Sequence, residues 1–109
     1  MASLSDFRAI SKIFPLMPKI MANPFCIIEK NNQCQNAINF ALDSLNKGKR
    51  IQNIILINPI LVNHNDLIKI NSFGSKIYFL FKKKKFKKSE YEILRKIGIV
   101  VFIKENFEI

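Results

Sequence analysis

The residues able to do chemistry are few, and all but one group of them are poorly spaced for it. The single histidine, His64, lies in Asn63-His64-Asn65-Asp66, a run of turn formers. The acids Asp6, Glu29, Asp43 and Asp66 show no motif spacing, and the glycines Gly48, Gly74 and Gly98 are isolated, so the chain has no glycine-rich phosphate loop. No nucleophile, base and oxyanion donor can be assembled from this set, and the expectation is a protein that is not an enzyme, with no catalytic residue. Cys26 and Cys34 are too far apart for a C-x-x-C pair, and one histidine cannot complete a zinc site. No metal and no cofactor is expected, and both cysteines read as reduced, buried thiols.

The exception is Lys82-Lys83-Lys84-Lys85-Phe86-Lys87-Lys88. From Lys76 to Lys96 there are nine basic residues against two acids, Glu90 and Glu92, which leaves +7 of the chain's formal +10 in this segment. Such charges repel one another in a compact fold. Laid along a phosphate backbone, the same charges attract it, and each neutralised phosphate releases a counterion. Phe81 and Phe86 flank the run and are either core anchors or platforms for an unpaired base. A pI near 9.9 fits a polyanionic partner.

The elements that must present this run can be read from periodicity. Ser5-Asp6 followed by Phe7, Ile10, Ile13 and Phe14 predicts a capped amphipathic helix ended by Pro15 and Pro18, with Arg8 and Lys12 on one face. Pro24 to Glu29 predicts a short strand. Cys34, Ala37, Ile38, Ala41, Leu42 and Leu45 predict the clearest helix, closed at Gly48. Ile51 to Ile57 predicts a buried strand broken by Asn58-Pro59, and Leu67, Ile68 and Ile70 begin another. Lys76 to Phe81 is a strand. Ser89-Glu90-Tyr91-Glu92 reads as a capping box opening a helix that Gly98 closes, and Ile99 to Ile103 is the last clear strand, with Phe107 to Ile109 returning as an edge. No apolar run approaches the roughly 18–20 residues that span a bilayer. The first fifteen residues faintly resemble an import sequence. Ile, Asn, Lys and Phe abound, a composition favoured by A/T-rich codons.

Ile70-Asn71-Ser72-Phe73-Gly74-Ser75-Lys76-Ile77-Tyr78 resembles the I-S-K-P-G-x-R-x-Y segment of the eighth small-subunit ribosomal protein family. Leu94-Arg95-Lys96-Ile97-Gly98-Ile99-Val100-Val101 is similar to that family's G-L-G-I-A-V-V, at nearly the same distance from the tyrosine. Upstream, the Ala37–Leu45 helix, Gly48 and Arg50-Ile51-Gln52-Asn53-Ile54 resemble its second helix leading into G-F-I-x-x-F. The family's S-T-S-K-G loop has no counterpart at Ile103-Lys104-Glu105-Asn106-Phe107, and the lysine run is the candidate substitute.

The resemblance implies an α+β fold of two small lobes. The first, 1–71, would be α-β-α-β-β, and the second, 72–109, a reduced and basic β-α-β RNA-binding lobe. It also implies a structural role in the small ribosomal subunit, with ribosomal RNA and neighbouring ribosomal proteins as partners, supporting assembly and translation. Carried over by position, Lys76 and Tyr78 are candidate RNA contacts presented by the Gly74 turn, with Gly98 a second structural turn. Charge adds Lys82, Lys83, Lys84, Lys85, Lys87, Lys88, Arg8 and Lys12 to the candidates. A reduced, A/T-biased member of the family points to a mitochondrion ahead of a plastid. The rival class is a basic structural subunit of a mitochondrial membrane complex, its lysines facing anionic headgroups.

Overall fold

The computed structural model describes residues 4–15, 17–22 and 25–107. These residues mix helix and strand, as expected: α1 (Leu4–Ile13), α2 (Met17–Met21), β1 (Cys26–Lys30), α3 (Cys34–Asn46), β2 (Asn53–Ile57), α4 (His64–Ser72), β3 (Lys76–Lys82), α5 (Lys88–Ile97) and β4 (Val100–Lys104). The two most apolar runs become β2 and β3. Every residue of β2 is buried, as is β3 from Ile77 to Phe81. A strand can be apolar on both sides only where both faces of its sheet are covered, which is the habit of parallel sheets. All four strands are indeed parallel, in the order β1-β2-β3-β4. The sheet runs on across residues 71 and 72, where the two expected lobes meet, because Asn53–Ile57 pairs with Lys76–Leu80.

Parallel neighbours need a connection that carries the chain back along the sheet. Helices α3, α4 and α5 are those connections. Successive crossovers that step in one direction with one hand place their helices on one face. Accordingly Ile38, Ala41, Leu45, Leu67, Ile70 and Leu94 share a core with Ile54, Leu56, Ile77, Phe79 and Phe81. The other face is covered by the segment before β1, where Ile10, Phe14 and Met17 pack on Ile28, Ile55, Ile57, Tyr78 and Leu80, joined by Phe107.

The structure departs from the sequence reading in several places. Leu67–Ile70 lies in α4, not in a strand. Its N-cap is Asn63, whose side chain accepts from the backbone N–H of Asn65 at 2.9 Å and of Asp66 at 3.3 Å. Leu67 and Ile70 are buried three residues apart, while Ile68 is half exposed, which is a helical period. Helix α5 starts at Lys88, so Ser89 lies inside it and is not its cap; Lys87 holds that position without a side-chain bond. Here a hydrophobic staple replaces the capping box. Phe86, just before the cap, packs edge-on against Tyr91 in the next turn, ring centroids 5.9 Å apart. Helix α1 already includes Ser5 and Asp6, the pair expected to cap it. Phe107 follows β4 as a buried core residue outside any strand, and residues 108 and 109 of the expected edge lie outside the described residues, as does Pro24.

Gly74 and Gly98 both make turns of the expected kind, each ending a helix with a positive φ, +90° and +94°. At Gly98 a side chain would also meet the Asn71 amide, because a Cβ there would lie 3.1 Å from its Nδ2.

Candidate nucleic-acid interface

The lysine run lies where β3 leaves the sheet. Lys82 is the last residue of β3, Lys83–Lys85 make one tight 3-10 turn, and Lys87 and Lys88 cap and open α5. Lys82 is partly buried and the other five are exposed. A 3-10 turn of consecutive lysines spreads its side chains around the turn, three residues per revolution. The result is a ridge of charge at the carboxyl edge of the sheet.

Two residues, Asn58 and Phe86, hold the ridge in place. Asn58, just past the end of β2, donates its backbone N–H to the Leu80 carbonyl at 2.8 Å, and its side-chain oxygen accepts from the Lys82 N–H at 2.8 Å. The asparagine side chain thus continues the β2–β3 ladder by one bond, at the cost of a left-handed φ of +45°. Phe86 tucks against Phe81, with centroids 5.4 Å apart, and Phe81 is buried in the core. Phe86 therefore ties the ridge to the core through Phe81, whose remaining face lines a neighbouring cleft.

The electrostatics of the ridge are unfavourable in isolation. Among the described residues, Lys83 is the ridge lysine with a carboxylate partner, Glu105 at 2.9 Å. Their hydrogen bond and mutual charge raise the Lys83 pKa and lower that of Glu105. Both groups stand in solvent, so the pair adds little to stability. Lys87 and Lys88 sit at the positive end of the α5 dipole, where cations are disfavoured and anions favoured. An anionic strand would relieve both the lysine repulsion and this clash.

The basic sequence candidates separate into three places. Lys82–Lys85, Lys87 and Lys88 are together. Lys76 opens β3 at the opposite, amino end of the sheet, next to Gln52; six steps along the strand place it roughly 20 Å from Lys82. Arg8 and Lys12 are exposed on α1, on the face opposite α3–α5. Tyr78 requires correction as an RNA contact. It is only 9% exposed, its ring stacks on Phe102 at 6.4 Å, and burial raises its hydroxyl pKa. Even positions of β3 face the α1 layer, so Tyr78 packs there with Leu80.

Two residues missed by the sequence reading belong to the ridge. Lys104 ends β4 directly beside Lys82 in the β3–β4 register. Asn58 was legible only as a strand breaker; its role in pinning Lys82 depends on which strand lies alongside. Lys30 ends β1 at the same edge of the sheet. The two thiols lie well away from thiolate chemistry. Burial pushes Cys26 up to about 11 and Cys34 up to about 12, and the Cys34 thiol donates to the Ile57 carbonyl. Among the described residues no cluster of His, Cys, Asp and Glu could hold a metal, and no helix is long and apolar enough to cross a membrane.

Compared with protein-family models, with curated proteins and with solved structures, the chain finds no match.

Proposed function

We propose that the chain is an RNA-binding structural constituent of a ribonucleoprotein, and specifically of the small ribosomal subunit. The observation that carries the RNA-binding reading is the ridge itself. Six lysines within seven residues are held at one edge of a sheet, and among the described residues one of them has a carboxylate partner. A surface of this kind is costly in water and favourable against a phosphate backbone. The contacts are to phosphates, so they position the protein and carry little sequence information. The assignment to the small subunit rests on the order of segments that resemble the eighth small-subunit family. The assignment to an organelle, a mitochondrion ahead of a plastid, rests on A/T-biased composition.

The test has two parts. In cell extracts separated on a density gradient, the protein should migrate with small ribosomal subunits and leave them only when the particle is stripped at high salt. Migration with detergent-solubilised membrane complexes would transfer the ridge to lipid headgroups and end the ribosomal reading. With purified protein, replacing Lys82–Lys85 together by glutamine should weaken binding to small-subunit RNA and flatten its salt dependence.

A further inference from the structure

A cleft of about 320 Å³ opens beside the ridge, between the β2–α4 loop and the start of α5. Its floor is apolar: Phe79, Phe81 and Leu94, all less than 5% exposed. Its rim is charged, with Lys85, Lys87 and Glu90 all exposed. The far wall is the loop that carries Leu61, which is 91% exposed and held at a left-handed φ of +55°. A leucine that spends backbone strain to place its side chain in water marks a segment shaped for contact with something else.

We infer that this cleft receives one unpaired nucleotide of a bound RNA strand. The base would enter against Phe81 and Leu94 with Leu61 covering it, and its phosphate would lie on Lys85 and Lys87. The volume is at the small end of the roughly 300–1,000 Å³ typical of ligand pockets, so it suits one nucleotide and excludes a duplex. The neighbouring strand has a path, since Lys82–Lys84 and Lys88 continue the positive charge beyond the rim. Single-stranded elements are where proteins read RNA bases, through apolar packing and hydrogen bonds to exposed base edges. Glu90 supplies the discriminating group. Its carboxylate only accepts, so it favours the exocyclic amines of adenine, cytosine and guanine over uracil, whose single N3–H donor lies between two carbonyl oxygens that a carboxylate repels.

This inference rests on the RNA-binding reading and is separable from it. The probes are a small RNA hairpin with a single-nucleotide bulge and the same hairpin fully paired, with affinities measured by fluorescence anisotropy. The intact protein should bind the adenosine-bulged hairpin at least about fivefold more tightly than the paired one, the lower end of what packing one base is worth. Leu61→Ser, a change at an exposed position, should remove that preference and leave affinity for the paired hairpin unchanged. Glu90→Gln should let a uridine bulge bind as well as an adenosine bulge. Equal affinity of the intact protein for bulged and paired hairpins would overturn the cleft assignment and leave the ridge standing. Binding of adenosine monophosphate as tight as that of the bulged hairpin would overturn it in favour of a free nucleotide. Binding to neither hairpin at low salt would remove this inference together with the proposed function.

Discussion

The pairing of Lys83 with Glu105 makes the ridge lysines unequal, and that inequality can be measured. Lys84 and Lys85 have no carboxylate partner among the described residues, whereas Lys83 is hydrogen bonded to Glu105. A phosphate that takes Lys84 or Lys85 releases a counterion outright, and one that takes Lys83 must first displace Glu105. The double substitution Lys84→Gln and Lys85→Gln should therefore lower the slope of log affinity against log salt by about 1.4–1.8, at roughly 0.7–0.9 per phosphate. Between 50 and 200 mM salt the intact protein should then lose about tenfold more affinity than the double variant. Lys83→Gln alone should change the slope less than Lys84→Gln alone. Glu105→Gln, which frees Lys83 and removes a negative charge, should tighten binding. The assay is anisotropy with labelled small-subunit RNA over a salt series. An unchanged slope in the double variant, or weaker binding by Glu105→Gln, would refute the placement of this turn against phosphate.

The remaining predictions concern the frame. Tyr78→Phe keeps the ring against Phe102 and should leave RNA affinity unchanged in the same assay; a loss of affinity would return Tyr78 to the interface. Gly98→Ala faces both a left-handed φ and the Asn71 amide 3.1 Å away, whereas Gly74→Ala faces only the backbone term, because nothing lies within 4 Å of its Cβ position. Gly74→Ala should cost about 1–2 kcal/mol in urea unfolding, the usual penalty for a left-handed non-glycine residue, and Gly98→Ala measurably more. Asn63→Ala, which removes the cap of α4, should cost roughly 1 kcal/mol in the same measurement. Burial raises both thiols from an ordinary 9.0 to about 11 for Cys26 and about 12 for Cys34. The fold therefore favours their protonated forms. That stability is complete below pH 9 and is lost as pH rises through 11 to 12. Native protein at pH 8 should react with iodoacetamide far more slowly at Cys34 than urea-unfolded protein does, as mass spectrometry of the labelled chain would show.

Local pattern by itself determined a good deal of this protein. The spacing of Cys34, Ala37, Ile38, Ala41 and Leu45 specifies one face of α3. The β-rich runs at 51–57 and 76–81 specify strands, whose residues 53–57 and 77–81 are buried. Gly74 and Gly98 specify two left-handed turns, and the lysine run declares its charge in any conformation. What only the tertiary structure decided are the facts that depend on which segment lies beside which. Leu67–Ile70 has the β-branched look of a strand, but β2 and β3 pair in parallel, and the segment between them must return the chain, so it becomes α4. Parallel pairing also sends Lys76 and Lys82 to opposite ends of the sheet and sets Lys104 beside Lys82. The even face of β3 takes Tyr78 into the layer beneath α1, although its neighbours in sequence suggested a surface contact. Short-range periodicity records how a segment prefers to fold and which side is apolar. Strand order and direction arise from contacts between residues far apart in the chain, and no local pattern encodes them.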